Sequence, residues 1–151
     1  MSQLSAIRTA VADRIRASGI DGVVNVFAYP PKDFPLPAVI VIPAGDTYIE
    51  YHGTFGAVRL QTVSLIVRVM VPEGGSVQSA GERIDEYLSS GTAETASLAD
   101  AITGANITIS SGTADIFAAS AENWAMGELV RAQTTPVVSC DIPVVVRVKR
   151  S

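Results

Sequence analysis

From Thr62 the chain alternates without a break. Val63, Leu65, Val67, Val69 and Val71 fall on one side, and Thr62, Ser64, Ile66, Arg68 and Met70 on the other. A period of two with this β-branched content predicts a strand with one fully apolar face. Carried back to Ala57, the strand would span roughly 50 Å at about 3.3 Å per residue, far beyond the usual length of about 5–6 residues. A small domain does not cover such a ribbon from end to end, so part of it is expected to project. The chain closes on a second alternating run. Val138, Cys140, Ile142, Val144, Val146 and Val148 face one way; Val137, Ser139, Asp141, Pro143, Val145 and Arg147 face the other. Pro143 has no N–H to give a ladder, which predicts an edge or a bulge there.

Helical spacing appears twice. Leu4, Ile7, Val11 and Ile15 form an apolar stripe, with Arg8, Asp13 and Arg16 on the opposite side, Ser2 as N-cap and Gly19 as C′ glycine. Val77, Ala80, Ile84 and Leu88 form the second stripe, capped by Ser76 or Ser79, with Glu82, Asp85 and Glu86 toward solvent. A short helix within Ala93–Ile102 would turn Leu98 and Ile102 inward. Val23–Tyr29 reads as a strand, Pro30–Pro37 as a stiff extended connector, and Ala38–Ile42 as a strand covered on both faces. A further strand starts near Asn106 through Ile107 and Ile109. Ser110–Ser120 has no clear pattern, and Glu122–Glu128 reads as a connection. The order predicts one α+β domain over residues 1–151, with a mixed, mostly antiparallel sheet of about four or five strands. Two main helices pack on one face, and a β arm projects over about residues 45–60. The sheet side of the core is expected to be Val63, Leu65, Val67, Val69, Val144, Val146 and Ile42, covered by Ile7, Val11, Ile84 and Leu88.

Composition changes this picture in one respect. Of 151 residues, 48% are hydrophobic and 17% charged, and the mean hydropathy is +0.33. That balance favours an assembled subunit over a free enzyme. A net charge of −4 with no cluster of Lys and Arg gives no footprint for gripping nucleic acid. No apolar run approaches the ~20 residues of a membrane-spanning helix, and the N-terminus does not read as a signal peptide. The single cysteine, Cys140, excludes an intrachain disulfide and reads as a buried, inert thiol.

A search for chemistry finds little. His52 is the only histidine; with Glu50 it offers two metal ligands where zinc needs three or four. As a general base it would need a nucleophile and an orienting carboxylate, and in a Gly-flanked segment it reads as a solvated residue. Gly74-Gly75 lacks the lysine and the spacing of a phosphate loop. The sequence predicts no catalytic residues, no cofactor and no metal. Tyr48, Tyr51 and Phe55, interleaved with polar residues, either fold back on the domain's own core or act as interface anchors. With the nearby charges Glu50 and Arg59 they form the candidate interface set.

The order of landmarks carries a resemblance. A strand ends in Tyr29-Pro30-Pro31, and an apolar strand closes at Pro43. Gly45-Asp46-Thr47-Tyr48-Ile49-Glu50-Tyr51 leads to Thr54-Phe55-Gly56 and the long strand. Glu82-Arg83-Ile84-Asp85-Glu86-Tyr87-Leu88 follows and breaks at Ser90-Gly91. In this the chain resembles the tail terminator proteins of long-tailed bacteriophages, especially those infecting actinobacteria; Thr113–Pro136 is longer and richer in alanine than that pattern. The resemblance implies a virion protein made in the host cytoplasm. It would form a hexameric ring at the head-proximal end of the tail, contacting the major tail tube protein and the head–tail connector or a head-completion protein. Genomic DNA would pass through the lumen without specific binding, and no membrane is involved. A head-completion or neck protein, and a non-viral domain that dimerises by edge pairing, are the other readings.

Overall fold

The computed structural model describes residues 2–18, 25–54, 57–89, 97–109, 112–129 and 134–150. The elements are α1 (Gln3–Arg16), β1 (Val26–Phe27), β2 (Ala38–Pro43), β3 (Ile49–Thr54), β4 (Ala57–Pro72), α2 (Val77–Leu88), α3 (Leu98–Ile102), β5 (Gly104–Ile109), β6 (Gly112–Ala118), β7 (Glu122–Leu129) and β8 (Thr135–Arg150). The α+β class and the mostly antiparallel sheet are as expected, but among the described residues the sheet has eight strands, and two of the three helices are long.

Two strands of 16 residues, β4 and β8, pair antiparallel over nearly their full length, Leu60↔Lys149 to Pro72↔Val137. Each is flanked on its outer side by two short strands placed end to end. Along β4, β2 pairs with Leu65–Met70 and β3 with Ala57–Val63. Along β8, β7 pairs with Thr135–Asp141 and β6 with Val144–Arg150. Strands β1, parallel to β2, and β5, antiparallel to β6, complete the sheet. One end therefore reads β3-β4-β8-β6-β5 and the other β1-β2-β4-β8-β7.

This tandem arrangement explains Pro143. It pairs with Ile66 on the β4 side and, among the described residues, has no strand partner on the other, so the expected edge is a local gap within the sheet. The ladder of β7 stops at Asp141 and that of β6 at Val144. Proline sits where the neighbour changes, so the missing donor leaves no orphaned partner.

All three helices lie on the face carrying Val63, Leu65, Val67, Val69 and Val71, which with Val138, Cys140, Ile142, Val144, Val146 and Val148 are buried. Ile7, Val11, Ile15, Ala80, Ile84, Leu98 and Ile102 cover them. Serine caps each helix: Ser2 accepts from Ser5 N–H, Ser76 from Ser79 N–H, and Ser97 forms a reciprocal capping box with Asp100. Tyr87, not foreseen in the stripe, is fully buried while Leu88 is only half so. Ile42 belongs to the opposite face, because β2 alternates: Val39 and Val41 enter the main core. Ala38 and Ile40 join Phe34 and Met70 in a second cluster, with Phe27, Leu36 and Ile42 beside it. The proline-rich connector thus brings Phe34 and Leu36 over the helix-free face. Gly19, Val23, Val24, Ser90, Gly91 and Ala93 lie outside the described residues.

Arg8 also departs from expectation. It is buried, not on a solvated side; its Nε donates to Ala28 O at 2.8 Å, its Nη2 donates to Val41 O, and its guanidinium lies 3.9 Å from the Tyr29 ring centre. Arg14 donates to the Ile102 and Thr103 carbonyls at 3.0 and 2.9 Å and so binds α1 to the end of α3. Gly104 makes room for it, since a Cβ there would lie 2.6 Å from Arg14 Nη2.

Burial pushes both the Cys140 thiol and the Tyr87 phenol above their ordinary pKa ranges. Both are neutral when protonated, so the folded state holds those protons more tightly than the unfolded state. Their contribution is complete below the ordinary ranges and is lost as pH rises. The melting temperature is expected to fall as pH rises above about 9, the ordinary thiol value, and native Cys140 should resist iodoacetamide at neutral pH. A flat melting profile through that range, or rapid native alkylation, would contradict the burial assigned here.

Candidate protein-interaction site

Ser64 marks the point where the chain leaves β4 and returns. Ala44 N–H donates to Ser64 O as β2 ends, and Ser64 N–H donates to Tyr48 O as β3 begins. The excursion 45–47 is thereby pinned at both ends, and β3 and β4 form a hairpin. A register shift between His52 and Gly53, whose partners are Leu60 and Val58, leaves Arg59 without a ladder partner. Strand β8 pairs with β4 as far as Leu60, so the first three residues of β4 lie beyond that ladder.

The structure separates the candidate interface residues. Tyr48 is half-buried and packs against the main core. Glu50 is exposed, and Tyr51, paired with Gln61, is 63% exposed. Phe55 lies outside the described residues, as do the side chains of His52 and Arg59.

Sequence reasoning missed a second exposed element. Glu122–Leu129 is a strand, not a connection, and among the described residues no strand pairs with its outer edge. Trp124 is 48% and Met126 61% exposed. Trp124 lies over α2 at Gly81, where a Cβ would stand 3.7 Å from its ring. The signal was present: Trp124 and Met126 alternate with Asn123, Ala125 and Gly127, but Gly127 and the flanking glutamates hid the period of two. Asn123, at φ 56°, forms a bulge at the start of the strand, a conformation asparagine tolerates better than most residues. Its side chain donates to Asp141 Oδ2 at 3.4 Å.

Asp141 is buried and accepts two bonds from Arg68, from Nε at 2.8 Å and from Nη2 at 3.1 Å. That hydrogen bonding raises the Arg68 pKa. The pair floors a shallow cavity of about 350 Å³ on the helix-free face, walled by β7 through Asn123, Gly127 and Leu129. Its chemistry is that of a brace: a bidentate pair fixes β4, β8 and the β7 bulge to one another. Among the described residues no group of three or more His, Cys, Asp or Glu side chains is placed to hold a metal ion, and no helix is long and apolar enough to cross a membrane.

No protein-family model matches the chain, and no curated protein matches it. Solved structures do. One is 18% identical, with the match covering 100% of this chain and 99% of the other at a TM-score of 0.43, a likeness too loose to carry an argument.

Proposed function

We propose that this chain is a structural subunit that assembles head to tail into a ring, serving as a tail terminator at the head-proximal end of a bacteriophage tail. The observation that carries the reading is the placement of two unmatched edges. The hairpin edge, β3, lies beside β4 at one end of the sheet, and β7 lies beside β8 at the other. Two different edges at diagonal corners suit a heterologous contact, and such contacts close into a ring when the rotation allows. The ring would end tube polymerisation, with the major tail tube protein on one side and the head connector or a completion protein on the other. A net charge of −4 suits a lumen through which DNA moves without being held. The subunit has no reaction of its own in this reading.

Native mass spectrometry over a concentration series tests it: six copies are expected. A dimer would favour an edge-pairing domain, and a persistent monomer would count against a self-assembling ring. Tyr51→Ala should leave the melting curve unchanged and weaken assembly by about 1–3 kcal/mol, as for an interface anchor. Tyr48→Ala should instead lower the melting temperature, because that ring packs on the subunit's own core. Normal assembly by Tyr51→Ala would remove the hairpin from the interface.

A further inference from the structure

Strand β7 leaves backbone hydrogen-bonding groups unused. Glu73 N–H donates to Pro136 O, so Pro136 turns its carbonyl toward β4 and Val137 turns its backbone groups toward β7. Gly127, opposite Val137, therefore faces β8, and Met126 and Glu128 present N–H and C=O on the outer side. Among the described residues no strand meets them. Such an edge is a template for an incoming extended segment: main-chain bonds give the affinity, and side-chain sites on the two faces give the specificity.

Both faces beside this edge offer such sites. On the helix side Trp124 and Met126 are exposed, residue types enriched at interface cores. On the helix-free side the cavity over Ser139 and the Arg68–Asp141 pair has a low wall toward β7, because Ala125 and Gly127 offer at most a methyl group.

Charge selects the occupant. Glu122 and Glu128 are exposed near the two ends of β7, and Glu82 and Asp85 are exposed on the flank of α2 that carries Gly81, against which Trp124 lies. Asp85 is near enough to Cys140 to raise its thiol pKa, and that thiol donates to Glu122 O. Arg83 belongs to the other flank, where it lines a separate hollow with Gly74, Ser76 and Ser79. Carboxylates thus frame Trp124 and Met126, and Arg68 on the opposite face is already paired with Asp141. A second copy does not bring the complement. Another β7 repeats the glutamates, the β3 edge carries Glu50, and β1 and β5 carry no charge. Like charges set against one another suppress the wrong partner.

We infer that the β7 edge docks an extended segment of a different protein, one bearing lysine or arginine. The segment adds to the sheet as a further strand and covers Trp124 and Met126. This goes beyond the ring reading, whose contact between copies then uses β3 against another surface of the neighbour.

Trp124 is the sole tryptophan and so reports on its own burial. The probe is a capped peptide of about eight residues, a usual strand length, alternating lysine and valine. Its controls carry glutamate in place of lysine, or proline in place of valine. The lysine–valine peptide should shift Trp124 emission to the blue in a saturable way, and bind more weakly as salt rises. Glu82→Lys with Asp85→Lys, both at exposed positions, should keep the melting curve and weaken binding about tenfold or more. The glutamate peptide should give no shift. Nor should the proline peptide, which keeps the charge but lacks the donors of a ladder. Native mass spectrometry at saturating peptide should show an unchanged copy number. No shift with the lysine–valine peptide, or an equal one with the proline peptide, would overturn the inference. So would a hexamer that falls apart on adding peptide: β7 would then belong to the contact between copies, and the ring would stand. A protein that is monomeric with and without peptide, yet shows the shift, would overturn the ring and leave the docking site.

Discussion

Leu65→Asp should prevent folding. Leu65 has no solvent exposure, pairs with Pro43 on one side and Val144 on the other, and shares its face with Val63 and Val67 beneath the helices. An aspartate there either buries an unpaired charge or holds a proton at the expense of its ordinary ionisation. Either route costs several kcal/mol, against a total stability of roughly 5–15 kcal/mol for a domain. The expected result is insoluble protein, or soluble protein without a cooperative melting transition by circular dichroism. Ile66→Asp supplies the control. Ile66 is one residue away, half-buried on the helix-free face, so its charge reaches water and the fold should survive. A normally melting Leu65→Asp beside an unfolded Ile66→Asp would reverse the face assignment of β4, and with it the placement of all three helices.

Arg8→Met should lower stability by about 2–4 kcal/mol. Strand β1 ends at Phe27, while β2 continues to Pro43. Val39 donates across to Asn25 O, so the Val41 carbonyl, two residues on, points the same way after its strand partner has run out. Arg8 supplies the missing donor there and a second one to Ala28 O. Methionine keeps the aliphatic stem but leaves both carbonyls without that partner. Hydrogen bonds to charged groups contribute about 1.5–3 kcal/mol each, partly offset because a buried charge is also removed. For a chain of this size each kcal/mol shifts the melting temperature by roughly 2–4 °C, so a drop of about 4–16 °C is expected. Arg8→Lys should recover little, since an ammonium lacks the guanidinium fork that reaches two carbonyls at once. A melting temperature within a degree or so of the natural protein's, in either variant, would show that the two Arg8 bonds add nothing to the hold on α1.

These two residues illustrate where sequence periodicity carries information and where it stops. Alternation alone places Leu65 in the core, because a strand with one buried face must repeat every second residue. The same physics made β8 legible through Val138–Val148, and the apolar stripes and serine caps made α1 and α2 legible. Local patterning and capping are written within one stretch of chain, so one stretch suffices to read them.

For Arg8, charge predicts exposure, and the residue is buried. Its burial depends on two carbonyls 20 and 33 residues away, which no local pattern encodes. That the edge at Pro143 is a gap inside the sheet, and not an outer strand, is likewise encoded in no local pattern. The proline is tolerated only because β6 and β7 meet end to end opposite it, a fact about two other segments. Ile42 lies outside the main core against expectation, because a solid apolar run does not say which alternate residues face which side; the register of β2 on β4 decides that. Strand β7 is not legible in the sequence, because an edge strand exposed on both faces has little burial to impose a pattern. Of the candidate interface, the aromatic hairpin residues were visible in the sequence, but that Tyr48 turns inward and Tyr51 outward follows from where β3 begins against Ser64. Periodicity and caps alone determined the class of the protein and the inner faces of its two long strands. Partner-dependent features, namely the buried arginine, the proline junction, the second face of β2 and the pair of unlike edges, were decided by tertiary pairing, because each is a relation between segments far apart in the chain.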